Sequence, residues 1–222
     1  MFLVALQSQS YSRHKPWATK NKVAAMITIY GDRISGNCLK VKWTAERLAI
    51  PFTWIDVNVV NRETRTETFL AMNPAGQVPT IVLEDGRPLA QSNAIILHLA
   101  ERSALIPADA YERAKMFEWL FWEQYSHEPT IAVVRFQVKY LGKPRSEVDP
   151  ALAARAEAAL VLMDRALSGQ QFLVGAQLTL ADIALVAYTR FAADGGFDLA
   201  DYPAVDAWVR RVEHELPIRD PR

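Results

Sequence analysis

The chain has 222 residues, half of them hydrophobic and 23% charged, with acidic and basic side chains numbering 25 each. That balance belongs to an ordinary globular protein with ample core, and a net charge of zero supplies no global field to draw in nucleic acid or an anionic membrane. Its one cysteine, Cys38, excludes an intrachain disulfide framework and a cysteine-rich zinc site. The four histidines, His14, His98, His127 and His214, show no metal-ligand spacing, so no metal is expected.

Residues 1–25 contain no acidic side chain and no helical or strand period. Their apolar run, Phe2 to Leu6, is much shorter than a signal-peptide core, and the segment reads as a disordered tail or leader ahead of Met26. From there strand-like and helix-like segments alternate. "ITIY" is a short β-branched strand, and residues 37–49 carry a helical apolar face of Leu39, Val41, Ala45, Leu48 and Ala49. "IPFTWIDVNV" is a second strand, parallel to the first across that helix, and "RETRTETFLAM" is a polar helix. "VPTIVLE" and "RPLAQ" are strands joined at Asp85-Gly86, a hairpin turn signal, and "SNAIILHLAE" is a helix capped by Ser92. The order β-α-β-α-β-β-α is that of a thioredoxin-like domain, read here as residues 26–104. After Pro107 the helical pattern is almost unbroken, over 111–140, 150–168, 179–192 and 203–215, so residues 105–222 read as an all-α domain.

Two features of the first half point to a ligand. Val78-Pro79 opens a strand where proline cannot donate to a ladder. If its peptide bond is cis, the amide and carbonyl before it face outward and can pair with an extended peptide. Gln91-Ser92 begins a helix whose free first-turn N–H groups and serine hydroxyl suit a carboxylate.

"NPAGQVP", a hairpin and "QSNAI" together closely resemble the glutathione-binding half of the cytosolic-type glutathione S-transferases, and the all-α second half matches as well. The resemblance is to bacterial, serine-type theta- and phi-like members. It implies that the Val78 backbone pairs with the cysteinyl part of glutathione, with Pro79 in cis. Gln91 and Ser92 would hold the γ-glutamyl end, and Gln77 the glycine carboxylate. Thr179 and Asp182 in "GAQLTLADIAL" form a structural capping box, with Leu178 and Ile183 as its apolar staple.

The reaction so implied needs a thiolate, yet a free thiol with a pKa near ~8.5 is mostly protonated at neutral pH. A hydrogen-bond donor and a helix amino terminus both lower that value. Ser35, just before helix 37–49, is the candidate donor, and no tyrosine stands in its place, since Tyr30 lies too early. Asn37 is the second candidate: its serine-x-asparagine spacing resembles nu-class members that reduce disulfides with glutathione. Cys38 falls at the inner position of that turn and reads as a small apolar filler. In "FEWLFWEQYSHEP" the stripe of Trp122, Tyr125 and Ser126 reads either as the wall of a pocket for a hydrophobic electrophile or as core or dimer packing, and Arg135 reads as a solvated surface residue, with contact to an anionic product as the alternative.

The expected activity is conjugation of glutathione to hydrophobic electrophiles, without a bound cofactor, by a cytoplasmic homodimer. Glutathione-dependent disulfide or peroxide reduction is the alternative within enzymes. A non-enzymatic glutathione- or hydrophobic-ligand-binding protein is the alternative outside them.

Overall fold

The computed structural model describes residues 26–216 and 218, and the tail expected over 1–25 lies outside them. The strands β1 (Ile27–Gly31), β2 (Phe52–Asp56), β3 (Thr80–Val82) and β4 (Pro88–Ala90) form one sheet in the order β2-β1-β3-β4. β1 runs parallel to β2 and antiparallel to β3, which pairs antiparallel with β4. The mixed sheet follows from its connections: α1 (Gly36–Arg47) carries the chain back for a parallel strand, whereas a tight turn joins β3 to β4. In that turn Gly86 takes φ +86° and its N–H donates to the Leu83 carbonyl, a conformation that suits glycine.

The two faces of β1 go to different partners because side chains alternate along a strand. Ile27 and Ile29 enter the core with Ile81, Val41 of α1, and Ile95 and Ile96 of α3 (Ser92–Leu99). Tyr30, on the other face, meets Phe69 of α2 (Glu67–Met72) edge-on, with ring centroids 6.4 Å apart. The expected polar helix over 62–72 is divided: Glu63–Arg65 is a 3-10 turn, and Thr66 then caps α2 by accepting from the Phe69 N–H.

The helical half begins at α4 (Ala110–Trp122), whose cap Asp109 accepts from the N–H groups of Tyr111 and Glu112. The rod then continues to Tyr140 with wider turns. Glu123–Ala132 is π-helical, α5 (Val133–Arg135) is a brief return to α, and Phe136–Tyr140 is π-helical again. α6 (Pro150–Leu167) has proline at its first turn and Asp149 as cap, positions where a missing N–H costs nothing. α7 (Leu180–Thr189) is buried at every residue and so runs through the middle of the half, with α8 (Pro203–Glu215) packed against it.

The amino end of α7 is fixed by one carboxylate. Asp182 Oδ2 accepts from the N–H and the hydroxyl of Thr179, both at 2.9 Å. Its Oδ1 accepts from the Leu173 N–H and the Trp208 indole N–H, also at 2.9 Å each. The spacing that marks a capping box in the sequence therefore also ties α7 to α8. Among the described residues no helix is long and apolar enough to cross a membrane.

Candidate active site

A cleft of about 710 Å³ opens between the sheet half and the helical half. Ser35, Asn37, Gln77, Val78, Pro79, Gln91 and Ser92 all line it. Three stretches far apart in sequence meet here because the end of β1, the start of β3 and the end of β4, which leads into α3, lie at the same end of the sheet. The Val78–Pro79 bond is cis. The Val78 backbone makes no hydrogen bond to any described residue, which leaves a donor and an acceptor for a ligand.

At α3 the geometry differs from the sequence reading. Gln91, not Ser92, is the cap, and it is held at φ +71°, a strained conformation for a side chain of its kind. Ser92 is the first helical residue, and its hydroxyl donates to Asn37 Oδ1 at 3.0 Å. Gln91 and Ser92 line the cleft where the helix starts, and the first-turn N–H groups of a helix, which have no partner within it, suit an anion.

Ser35 caps α1 by its backbone: its carbonyl accepts from the N–H groups of Cys38 and Leu39, while its hydroxyl makes no capping bond. The hydroxyl is thus spared for other work at the positive end of the helix. Asn37 is more committed. Its Nδ2 donates to Glu128 Oε1 at 3.3 Å, and its Oδ1 accepts from Ser92 and, at 3.4 Å, from Gln124. Its backbone N–H donates to the Tyr188 hydroxyl at 3.2 Å. Asn37 therefore bridges α1, α3 and the helical half. Burial, with Glu123 nearby, holds the Glu128 carboxyl above the usual range.

Cys38 is fully buried and accepts from the Asp32 N–H at 3.3 Å. Burial pushes its thiol up to about 11, so it is protonated at neutral pH. The residue is inner packing, as its place in the turn suggests.

The wall on the helical side is Gln124, Glu128, Ala132, Phe136 and Tyr140, joined by Val133, Arg135 and Leu141. The first five recur every fourth residue. In a regular helix of 3.6 residues per turn such a row drifts off one face. The wider π turns rotate it back, so the row stays on the cleft from Gln124 to Tyr140.

Trp122, Tyr125 and Ser126, expected as the pocket wall, lie instead along a separate groove with Pro129, Arg155, Ala158 and Leu162. The every-fourth-residue spacing is the same, but the phase is displaced by two residues. The wall also runs along the second half of the rod rather than the first. Arg135 is likewise not a solvated residue. It is 6% exposed, with its guanidinium 4.2 Å from the Phe191 ring, its Nε on Asp194 and its Nη1 donating to the Ile34 carbonyl.

Sequence reasoning missed three further groups. Arg62 and Arg65 line the cleft beyond Gln77, a concentration of positive charge at that end. Tyr188 of α7 reaches Asn37 from the helical half. Lys40 and Glu123, both wholly buried, form an ion pair at 3.0 Å across the two halves, with Asn93 bonded to each. No local pattern marks Lys40, which sits in an apolar run. Among the described residues no cluster of side chains could hold a metal ion.

Comparisons with known proteins agree with this architecture. Residues 34–102 match the family model of the glutathione S-transferase N-terminal domain, and residues 119–215 that of its C-terminal domain. A crystal structure of a glutathione S-transferase from Pseudomonas fluorescens superposes with a TM-score of 0.82 at 45% identity, covering 85% of this chain and 94% of that one. Glutathione S-transferase D6 of Drosophila melanogaster is 28% identical over 195 residues, 86% of this chain and 89% of the relative. Glutathione S-transferase theta-3 of Mus musculus is 29% identical over 205 residues, 86% of this chain and 83% of the relative. With both halves matched by the family models and a relative 45% identical over most of the chain, the chain belongs to the glutathione S-transferase family.

Proposed function

We propose that this protein ionises the thiol of glutathione and joins it to hydrophobic electrophiles, with residues 26–104 binding glutathione and residues 105–222 supplying the second wall. One observation carries the reading: Ser35, Val78 and Ser92 converge on a single cleft at the amino end of α1. Glutathione lies extended there, its cysteinyl amide paired with the Val78 backbone. Its γ-glutamyl carboxylate meets Gln91, Ser92 and the first turn of α3, and its glycine carboxylate meets Gln77 near Arg62 and Arg65. The sulfur then stands before Ser35 and the helix amino terminus, which both favour the thiolate. The thiolate attacks an electrophile resting on Ala132, Val133, Phe136, Tyr140 and Leu141, and the leaving group departs with its electron pair. Asn37 holds the two halves of the site in register.

The same reading makes the protein a cytoplasmic, detoxifying homodimer without a bound cofactor. Phe121 and Tyr125, exposed at 73% and 88%, are apolar surface for the second subunit. The test is turnover of purified protein with glutathione against an aryl halide, a hydroperoxide and a small mixed disulfide. Conjugation of the aryl halide supports the proposal. Turnover of the disulfide or peroxide alone makes the protein a reductase, and glutathione binding without turnover makes it a carrier.

A further inference from the structure

Glu128 belongs to the row of residues that faces the cleft and comes one helical turn before Ala132. It is half-buried, and its Oε1 accepts from Asn37 Nδ2 at 3.3 Å. The far end of the same amide sets that bond. Asn37 Oδ1 accepts from Ser92 and Gln124, so only Nδ2 is left to turn toward Glu128. Glu128 Oε2 has no bond to a described residue, and no described cation pairs with the carboxylate. The cations around it are engaged elsewhere. Lys40 pairs with Glu123, and Arg135 gives its Nε to Asp194 and its Nη1 to the Ile34 carbonyl. A carboxylate drawn partly out of water needs donors in place of the water it loses. Glu128 has one, and burial holds its carboxyl above the usual range.

We propose that Glu128 determines the choice of second substrate, as a subsite for a cationic or N–H donor group on an electrophile whose apolar body rests on Ala132 and Phe136. The inference rests on the reading of the cleft as the glutathione site. Position separates the two substrates: the glutathione anchors Gln77, Val78, Gln91 and Ser92 belong to the sheet half, whereas Glu128 lines the helical wall. The nucleophile is itself an anion, formed at the amino end of α1, and Glu128 is hydrogen-bonded to that same turn through Asn37. A cation on the electrophile therefore meets two negative groups, and an anion is repelled by both. The favoured compounds carry an amine, amidine or amide N–H about one helical turn from an apolar ring. Carboxylated analogues are rejected by charge rather than by shape.

The experiment compares three chloronitrobenzenes that differ only para to the chlorine, where they carry an amidine, an amide or a carboxylate. For each, kcat/KM is divided by the uncatalysed rate constant with glutathione, so that the reactivity of the ring cancels. The proteins are the parent, Glu128→Gln and Glu128→Asp. Glutamine keeps an acceptor for Asn37 and removes the charge, and circular dichroism verifies the fold. The parent is expected to favour the amidine over the carboxylate by roughly 10²-fold, Glu128→Gln to cut that ratio by about tenfold or more, and Glu128→Asp to keep its direction. A merely structural role lowers all three substrates alike, and an unchanged ratio in Glu128→Gln overturns the proposal. So does a rise in KM for glutathione that disappears with an analogue lacking the α-amino group, since the carboxylate then serves the glutathione ammonium. A parent that conjugates the amide without a charge preference overturns the proposal and leaves the glutathione site standing. A parent that conjugates none of the three overturns both.

Discussion

Replacing Lys40 by methionine tests the buried connection between the two halves. Lys40 and Glu123 are each 0% exposed, and the pair is 3.0 Å apart. Glu123 Oε1 takes its bond from Lys40, while Oε2 accepts from the Asn93 and Gln124 amides at 3.1 and 2.7 Å. Methionine fills most of the lysine volume but strands Oε1 and leaves a net negative charge in the interior. Breaking a buried pair from one side costs ~3–5 kcal/mol. The two amides remaining on Oε2 favour the lower end, about 3 kcal/mol, or a fall in melting temperature of about 6–12 °C for a chain of this size. The double variant Lys40→Met, Glu123→Met removes both charges together, and Asn93 keeps its bond to the Leu120 carbonyl. Its stability should return to within about 1 kcal/mol of the parent. Urea titration read by linear extrapolation measures all three. A loss below about 1 kcal/mol in the single variant, or a double variant no more stable than the single one, would refute the reasoning.

Acid should weaken the fold through His127. It is fully buried, and its Nε2 meets Thr189 Oγ1, whose own proton goes to the Leu185 carbonyl. Nε2 must therefore carry the hydrogen, and Nδ1 has no partner among the described residues to receive a second one. Burial lowers the imidazole to about 4, from an ordinary 6.5. The unfolded chain binds the proton first, so stability falls by roughly 3 kcal/mol as pH drops from about 6.5 to about 4. His127→Gln should show a shallower decline in urea midpoint over that range; equal slopes would remove His127 from the account. Cys38 should resist iodoacetamide at pH 8 in the native protein and react once it is unfolded in urea. Cys38→Ser should keep conjugation, and Ser35→Ala should lose roughly 10²-fold, the usual scale for removing a donor to a developing anion. The opposite ranking would return the catalytic role to the cysteine.

The parts legible in the sequence are those set by neighbours within a turn or a strand pair. Asp85-Gly86 specifies a hairpin because its backbone demands are local. Thr179 and Asp182 mark the start of α7 because a capping box spans four residues. The alternation of Ile27 and Ile29 with Thr28 and Tyr30 predicts a strand with two different faces, whatever covers them. The motif around Val78-Pro79 and the one at Gln91-Ser92 are short enough to be read directly, and the order of elements then places them on one side of the sheet.

What the chain alone left undecided is what packs against each face. The i, i+4 rhythm of residues 122–140 is visible, but only the π turns and the position of α6 determine that 124, 128, 132, 136 and 140 face the cleft while 122 and 126 turn away. Lys40 is buried because Glu123 arrives from 83 residues away, and Tyr188 enters the site from 151 residues beyond Asn37. A charge is tolerated in a core, and a hydroxyl is aimed, only by partners that folding brings to it. Local sequence specifies the elements and their caps, and the docking of the helical half on α1 decides which side chains become the site.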